Sequence, residues 1–390
     1  MSLVEEIPES ESSRRKRIGL LADLLERQGI DVSEVGSIKR VNVWQGFYKD
    51  KEGVAHTVDQ TGIVFSPTWE EGPEWPVVQR AAQAPVRASK TASPKRDGGW
   101  QRAFVFPDAQ VGVRRSLDLD AAEPMYDQRA IDTAFAVCKE AKPDLIINIG
   151  DLLDLAEISR YAKDPSFTRT VQPTLDYSHR FLARQRATVP NARIVVHEGN
   201  HDKRLPDYIL TNAMAAFGIR RANLPDSWPV MSVPYLLRFD ELGIEYIDGY
   251  PSDTFWVNSN LKTMHGEKVR SNSSTAAAVA NSSMVSTIFG HVHRVEEHWV
   301  THETERGPQE VMAASPGTLA RVDRGAVPSF HSGLDSKGKA KGRPENWTQG
   351  CSVIDFHPDG RFHYQGIRIQ DGVARWGPQD FYAEQMPDEG

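Results

Sequence analysis

The sequence predicts an α/β fold that grades into α+β, preceded by a small α+β module. Three observations carry that expectation. Between residues 101 and 217 apolar strands alternate with amphipathic helices, the pattern of βαβ crossovers around a sheet buried on both faces. From residue 243 onward strands dominate. The chain's 390 residues, 39% of them hydrophobic, suffice for a large buried core.

Each element has its own signal. Residues 14–28 place Ile18, Leu20, Leu21, Leu24 and Leu25 at helical spacing before Gly29, after a basic start at Arg14, Arg15, Lys16 and Arg17. Residues 41–48, the turn Asp50-Lys51-Glu52-Gly53 and residues 55–65 read as a β-hairpin rich in Val, Thr and aromatics. Residues 1–80 thus form a helix-plus-hairpin module. Residues 81–100 are small, polar and Pro/Gly-bearing, which makes a linker. Strands then follow at 103–106, 144–149 and 192–197, with helices at 127–140, 171–187 and 205–217. Further strands are expected at 243–247, 254–257, 261–265, 285–289, 294–301, 310–314, 351–356 and 361–369. The main domain is expected over 101–370 and a C-terminal tail over 371–390.

Composition excludes several classes. Forty-six basic and 53 acidic residues sum to −7, so no overall positive field attracts nucleic acid or an anionic membrane. A polyanionic partner must be met by a local patch or through a metal. Two cysteines, Cys138 and Cys351, make neither a disulfide framework nor a cysteine zinc site, and their apolar surroundings fit buried thiols in a reducing compartment. The first thirteen residues carry Glu5, Glu6, Glu9 and Glu11 without an apolar stretch, and no apolar run approaches the ~18 residues of a membrane span. A soluble cytoplasmic protein without a membrane partner is expected; the sequence holds no signal for oligomeric state.

Metal-ligating residue types recur at the ends of the expected strands, where an α/β sheet collects its site. The first strand ends in Pro107-Asp108-Ala109-Gln110, and a spacing of two from an extended segment aims carboxylate and amide at one ion. The next ends in Gly150-Asp151-Leu152-Leu153-Asp154, the third in Glu198-Gly199-Asn200-His201-Asp202. Later strands end in His265-Gly266 and Gly290-His291-Val292-His293, where histidines two apart face the same way and suit shared metal work. Alone, each has an ordinary explanation: a turn, a helix cap, a polar loop. His197, His298 and His302 lack such surroundings and read as core or surface histidines.

In this order the five segments resemble the signature of the calcineurin-like metallophosphoesterases, over roughly residues 101 to 370. The resemblance implies two sheets in a sandwich flanked by helices, with a two-metal site on the connecting loops. It implies Asp108 and His293 on one ion, Asn200, His265 and His291 on the other, and Asp151 as the bridge. It further implies that His201 approaches the substrate phosphate, with Asp202 as its orienting partner. Gln110 stands where the family usually has histidine. An amide oxygen is a harder, weaker ligand than imidazole, so two divalent ions are expected with Mn²⁺ favoured, Mg²⁺, Zn²⁺ or Fe being alternatives. No arginine follows Asp154, which disfavours a phosphoserine-type phosphatase.

Three functions remain open: a DNA nuclease similar to the SbcD-type enzymes, a cyclic-nucleotide or other small-molecule phosphodiesterase or phosphatase, and a non-catalytic metal-bound scaffold. DNA is favoured by the basic start at Arg14–Arg17, by Trp44, Phe47 and Tyr48, and by the glycine-diluted Lys337, Lys339, Lys341 and Arg343. Their ordinary explanations are a solvated helix start, the core of the small module and a solvated loop. The hairpin and the run Glu345-Asn346-Trp347-Thr348-Gln349-Gly350 resemble phage-encoded members, which points to phage DNA metabolism. Retention of His201 disfavours the scaffold, since binding alone does not require it.

Overall fold

A computed structural model of the chain describes residues 35–49, 51–67, 96–115, 122–160, 165–323, 333–334, 340–341 and 346–383. The expected helix at 14–28, most of the linker, and Lys337, Lys339 and Arg343 lie outside the described residues. The chain divides into two compact units, Met1–Ala82 and Gln83–Gly390.

In the first unit β1 (Val35–Lys49) and β2 (Ala55–Pro67) form an antiparallel hairpin, with Val41 opposite Ile63 and Tyr48 opposite His56. The connection between them carries Gly53 at φ 85°, the left-handed conformation that a tight turn asks of glycine.

The second unit holds β3 (Gln101–Phe106), β4 (Val113–Arg115), β5 (Ala122–Pro124), β6 (Leu145–Asn148), β7 (Arg193–His197), β8 (Ile244–Ile247) and β9 (Phe255–Asn258). After them come β10 (Leu261–Met264), β11 (Ser286–Phe289), β12 (Val295–Thr304), β13 (Gly307–Pro316), β14 (Gly333–Leu334) and β15 (Ala340–Lys341). The last strands are β16 (Gly350–Phe356), β17 (Phe362–Gln370), β18 (Val373–Trp376) and β19 (Gln379–Tyr382). The described helices are α1 (Gln128–Ala141), α2 (Val171–Thr188), α3 (Arg204–Asn212), the single turns α4 (Val233–Leu236) and α5 (Phe239–Leu242), and α6 (Thr275–Ser282). An eight-stranded sheet runs β19-β18-β17-β16-β3-β6-β7-β8, and a five-stranded sheet runs β12-β13-β11-β10-β9.

The period of two along each strand builds the layers. In β3, Phe104 and Phe106 turn to one face and pack with Phe135 of α1 and Phe181 of α2. Ala103 and Val105 turn to the other face and share a core with Ile288 and Met312 of the five-stranded sheet. Beyond that sheet, Ala276 and Ala280 of α6 cover Phe289 and Ala313. The result is a helix–sheet–sheet–helix sandwich, the α/β arrangement expected.

Two boundaries differ from expectation. The helix expected over 205–217 stops at Asn212, because Ala213 leaves helical space (φ −150°, ψ 49°) before a short 3₁₀ turn. Residues 371–390 are not simply a tail: β18 and β19 continue the eight-stranded sheet, Ala374 is buried, and Thr133 of α1 donates to the Gly372 carbonyl at 2.7 Å. The short α4, α5 and α6 had no sequence signal long enough to show a period. Cys138 and Cys351 are free, buried thiols, and no described helix is long and apolar enough to cross a membrane.

Within the eight-stranded sheet β3, β6 and β7 are parallel, and within the other β10 and β11 are parallel. All five motifs begin just after the carboxyl ends of these strands, where chain leaving a parallel sheet gathers side chains from distant segments.

Candidate metal centre

Two clusters of ligand atoms meet at one carboxylate. Asp151, His265 and His291 place one ligand atom each within 4.8 Å of one another, and so do Asp108, Asp151 and His293. Asp151 Oδ2 lies 3.3 Å from His265 Nε2 and 3.0 Å from Gln110 Nε2, while His293 Nε2 lies 3.3 Å from Asp108 Oδ1. Asn200 Oδ1 stands 3.2 Å from His265 Nε2, on the side of the first cluster.

Backbone conformation aims these groups. Gln110, Asp151, His291 and His293 have φ of 47°, 49°, 68° and 54°. Left-handed geometry in non-glycine residues costs of order 1–3 kcal/mol each and persists where surrounding structure enforces it. This corrects two expectations. Asp108 and Gln110 do not leave an extended segment side by side, because the chain turns at Gln110 into a bridge from Val111 to Leu153. The spacing of two does not put His291 and His293 on one point; they divide between the two clusters, as the resemblance implies. His291 joins the His265 cluster, with ring centroids 5.3 Å apart, and His293 joins the Asp108 cluster with its ring edge-on to Trp347 at 4.5 Å.

Close approach explains the glycines of the motifs. A Cβ on Gly199 would stand 2.2 Å from Asp151 N, and one on Gly290 would stand 2.7 Å from Asp108 Oδ2. No other residue type fits between these segments.

His201 is held from two sides. Its backbone N–H donates to Asp151 Oδ1 at 2.8 Å, and its Nδ1 lies 2.9 Å from Asp154 Oδ1. Asp202 does not orient the ring. Its buried carboxylate accepts from the backbone N–H groups of Leu152, Leu153 and Gly199, at 3.3, 2.9 and 2.9 Å, and so ties the Asp151 loop to the Asn200 loop. Asp154 takes the orienting place because a side chain next to His201 on a tight turn points away from it, whereas the following turn of the Asp151 loop faces it. Arg204 also escaped the sequence reading. Its guanidinium donates to the Asp154 carbonyl and lies 3.2 Å from His201 Nε2. Its position three residues after His201, at the start of α3, is the signal that was there to find.

The electrostatics are those of a site built around positive charge. Burial raises the Asp151 carboxyl, but His265, His201 and His291 hold it well below the usual carboxylate range. Burial would lower His265, yet Asp151 and Asp108 carry it up to about 10. Burial and the neighbouring His265 push His291 down to about 4. Burial and Asp151 push Asp202 up to about 7, against its backbone donors.

The residues fit divalent cations. Asp108 Oδ2 is buried without a hydrogen-bond partner, which is costly unless a ligand completes it. Carboxylate oxygen, amide oxygen and imidazole nitrogen form a mixed donor set that suits first-row divalent metals. His265 Nδ1 donates to the Ile149 carbonyl at 2.9 Å, which fixes the ring and leaves Nε2 facing the cluster. Gln110 presents Nε2 to Asp151, so it offers its oxygen as a ligand only after its amide rotates by half a turn. Of the basic loop only Lys341 is described, as backbone in β15. His197, expected in the core or at the surface, is buried, with Nδ1 2.7 Å from Asp253 Oδ2 and Nε2 2.8 Å from Thr263 Oγ1.

No family model matches the chain. It is 28% identical over 229 residues to the Gene 54 protein of Mycobacterium phage D29, covering 55% of this chain and 84% of that one. The Gene 54 protein of Mycobacterium phage L5 is 27% identical over 231 residues, with the same coverage of 55% and 84%. Among solved structures, a purple acid phosphatase from yellow lupin (Lupinus luteus) seeds is similar at 11% identity and TM-score 0.35, over 84% of this chain and 57% of that one. A 5′-nucleotidase precursor from Thermus thermophilus is similar at 12% identity and TM-score 0.26, over 68% of this chain and 54% of that one. The chain therefore spans little more than half the length of either solved structure.

Proposed function

We propose that the chain is a two-metal phosphoesterase that hydrolyses phosphodiester bonds, with DNA as its substrate. The observation that carries this reading is the pair of ligand clusters that meet at buried Asp151, beside a histidine braced by Asp154. Asp108, Asp151, His293 and the rotated amide of Gln110 would hold one divalent cation, and Asp151, Asn200, His265 and His291 the other, with Mn²⁺ the expected ion. Bound there, the pair would supply positive charge at the phosphoryl oxygens and lower the pKa of a water from 15.7 towards ~7.

The chain's own groups do the rest. His201 has 13% of its side chain exposed, enough to meet a substrate that covers the site. With Nδ1–H given to Asp154, Nε2 is the ring atom that faces a phosphoryl or leaving-group oxygen, a role worth roughly 10²–10⁴-fold when it delivers a proton. Arg204 adds a fixed cation beside that atom. A scaffold that only binds has no use for an imidazole so held. The basic residues Arg14–Arg17 and the lysine-rich run near residue 340 favour DNA. A small diester such as a cyclic nucleotide is the second reading, favoured by the mixed charge of the cleft beside His291, where Asp207 and Glu267 stand with Lys203 and Arg204.

Purified protein with Mn²⁺, assayed on single- and double-stranded DNA, RNA, cyclic nucleotides, and a nitrophenyl diester and monoester, tests both. Hydrolysis that survives excess chelator excludes the two-metal reading. Gln110→His should move the metal ranking from Mn²⁺ towards Zn²⁺ or Fe; an unchanged ranking removes Gln110 from the ligand set.

A further inference from the structure

Beside the metal cluster lies a cleft of about 710 Å³ that begins at Asn200 and His291 and runs outward along α3. That volume falls within the roughly 300–1,000 Å³ of organic ligand sites, far more than a bare phosphoryl group needs. We infer that this cleft is a nucleoside site, in which Tyr208 stacks on the base and Arg204 and Lys203 meet the phosphate.

The helix sets up the two roles. Arg204, Tyr208 and Thr211 follow helical spacing on the face of α3 that lines the cleft, while Leu205 and Ile209 point into the core. Tyr208 is 41% exposed, an aromatic surface on the cleft wall. Tyr250 lines the cleft too, and Lys203 Nζ donates to its carbonyl at 3.0 Å, which joins α3 to that loop. The charges are graded. Arg204 sits next to His201 at the inner end, so cationic hydrogen-bond donors stand where a scissile phosphate would lie. Asp207 and Glu267 also line the cleft, with Arg160 as a third cation, so its charges nearly balance and it is not a run of cations for a chain of phosphates. A planar, uncharged base joined to one phosphate satisfies this arrangement.

The inference takes the reacting group from the phosphodiesterase reading, but nucleoside binding stands on the cleft alone. Calorimetry on the full chain in chelator, with thymidine 5′-monophosphate and with inorganic phosphate, should give the nucleotide an advantage of about tenfold, the scale of base–aromatic stacking. Tyr208→Ala should erase that advantage and Tyr208→Phe should keep it. Equal affinity for the two ligands, or an advantage that survives Tyr208→Ala, overturns the site. With Mn²⁺, the p-nitrophenyl ester of thymidine 5′-phosphate and methyl p-nitrophenyl phosphate share a leaving group. The nucleoside ester should be preferred about tenfold in kcat/KM, and Tyr208→Ala should remove that preference through KM. If neither ester is hydrolysed with any metal while the calorimetric advantage holds, the phosphodiesterase reading falls and the nucleoside site stands. A long oligothymidylate separates the sources: affinity that rises with length assigns the site to a strand, and affinity equal to the mononucleotide assigns it to free nucleotide esters.

Discussion

His265 donates Nδ1–H to the Ile149 carbonyl, so a cation must be met by Nε2, and the carboxylates around that atom keep it protonated up to about 10. The proton and the cation compete for one lone pair. If His265 is a ligand, the proton held below that value must leave when a cation binds, so cation binding near neutral pH should release a proton, and apparent affinity should climb about tenfold per pH unit on the way up. Calorimetry in buffers of different ionisation enthalpy measures the release; none at neutral pH would exclude His265 as a ligand. Asp154 and Asp202 separate just as cleanly. Asp154→Asn should lower turnover roughly 10²–10⁴-fold with both cations retained, as His201→Asn should, because both changes unmake the braced imidazole. Asp202→Asn should instead cost about 1–3 kcal/mol in chemical denaturation, since an amide oxygen cannot satisfy all three backbone donors it faces. The candidate ligands were legible because each sits in a short motif of unusual chemistry. The brace was not, because Asp202 is adjacent to His201 in sequence while Asp154 reaches it only through the meeting of two loops.

Strands were legible for a different reason from the loops that follow them. β3, β6, β7 and β11 each hold a short apolar stretch that is buried, and such stretches stand out in the sequence. What each loop does next depends on contacts across the site. Gln110, Asp151, His291 and His293 adopt left-handed conformations, which Asp and His tolerate better than most residues but which sequence alone does not announce. The glycines between them are the local trace of that crowding. At Gly199 the obstacle to a side chain is the backbone nitrogen of Asp151 rather than a yielding side chain, so Gly199→Ala should exceed the ~1–3 kcal/mol of ordinary overpacking. Thermal unfolding in chelator reads that loss directly. The same variant should bind Mn²⁺ more weakly, because the clash is with Asp151, which the two candidate clusters share. A mutant as stable as the parent would mean that the two loops are not pressed together.

Every candidate ligand lies in the unit Gln83–Gly390, and the sequence features that favour DNA are divided between that unit and the other. The net charge of −7 leaves no general attraction for a polyanion, so any DNA affinity must come from a few local cations and from the metal pair. Such affinity carries a signature, since each phosphate neutralised by Lys or Arg releases counterions and steepens the fall of binding with salt. Lys337, Lys339, Lys341 and Arg343 are the densest basic run beside Arg14–Arg17. Replacing all four with glutamine should flatten the slope of log K against log salt by at most about 3–4 units, at ~0.7–0.9 per contact. Hydrolysis of a nitrophenyl diester should hardly change, because the substrate has no flanking phosphates for the run to hold. The two measurements pull apart the readings that remain. A lower slope with an intact small-diester rate identifies a surface that tracks a strand. An unchanged slope and unchanged DNA cleavage would remove the run from the substrate path and leave the small diester as the better substrate for the metal site.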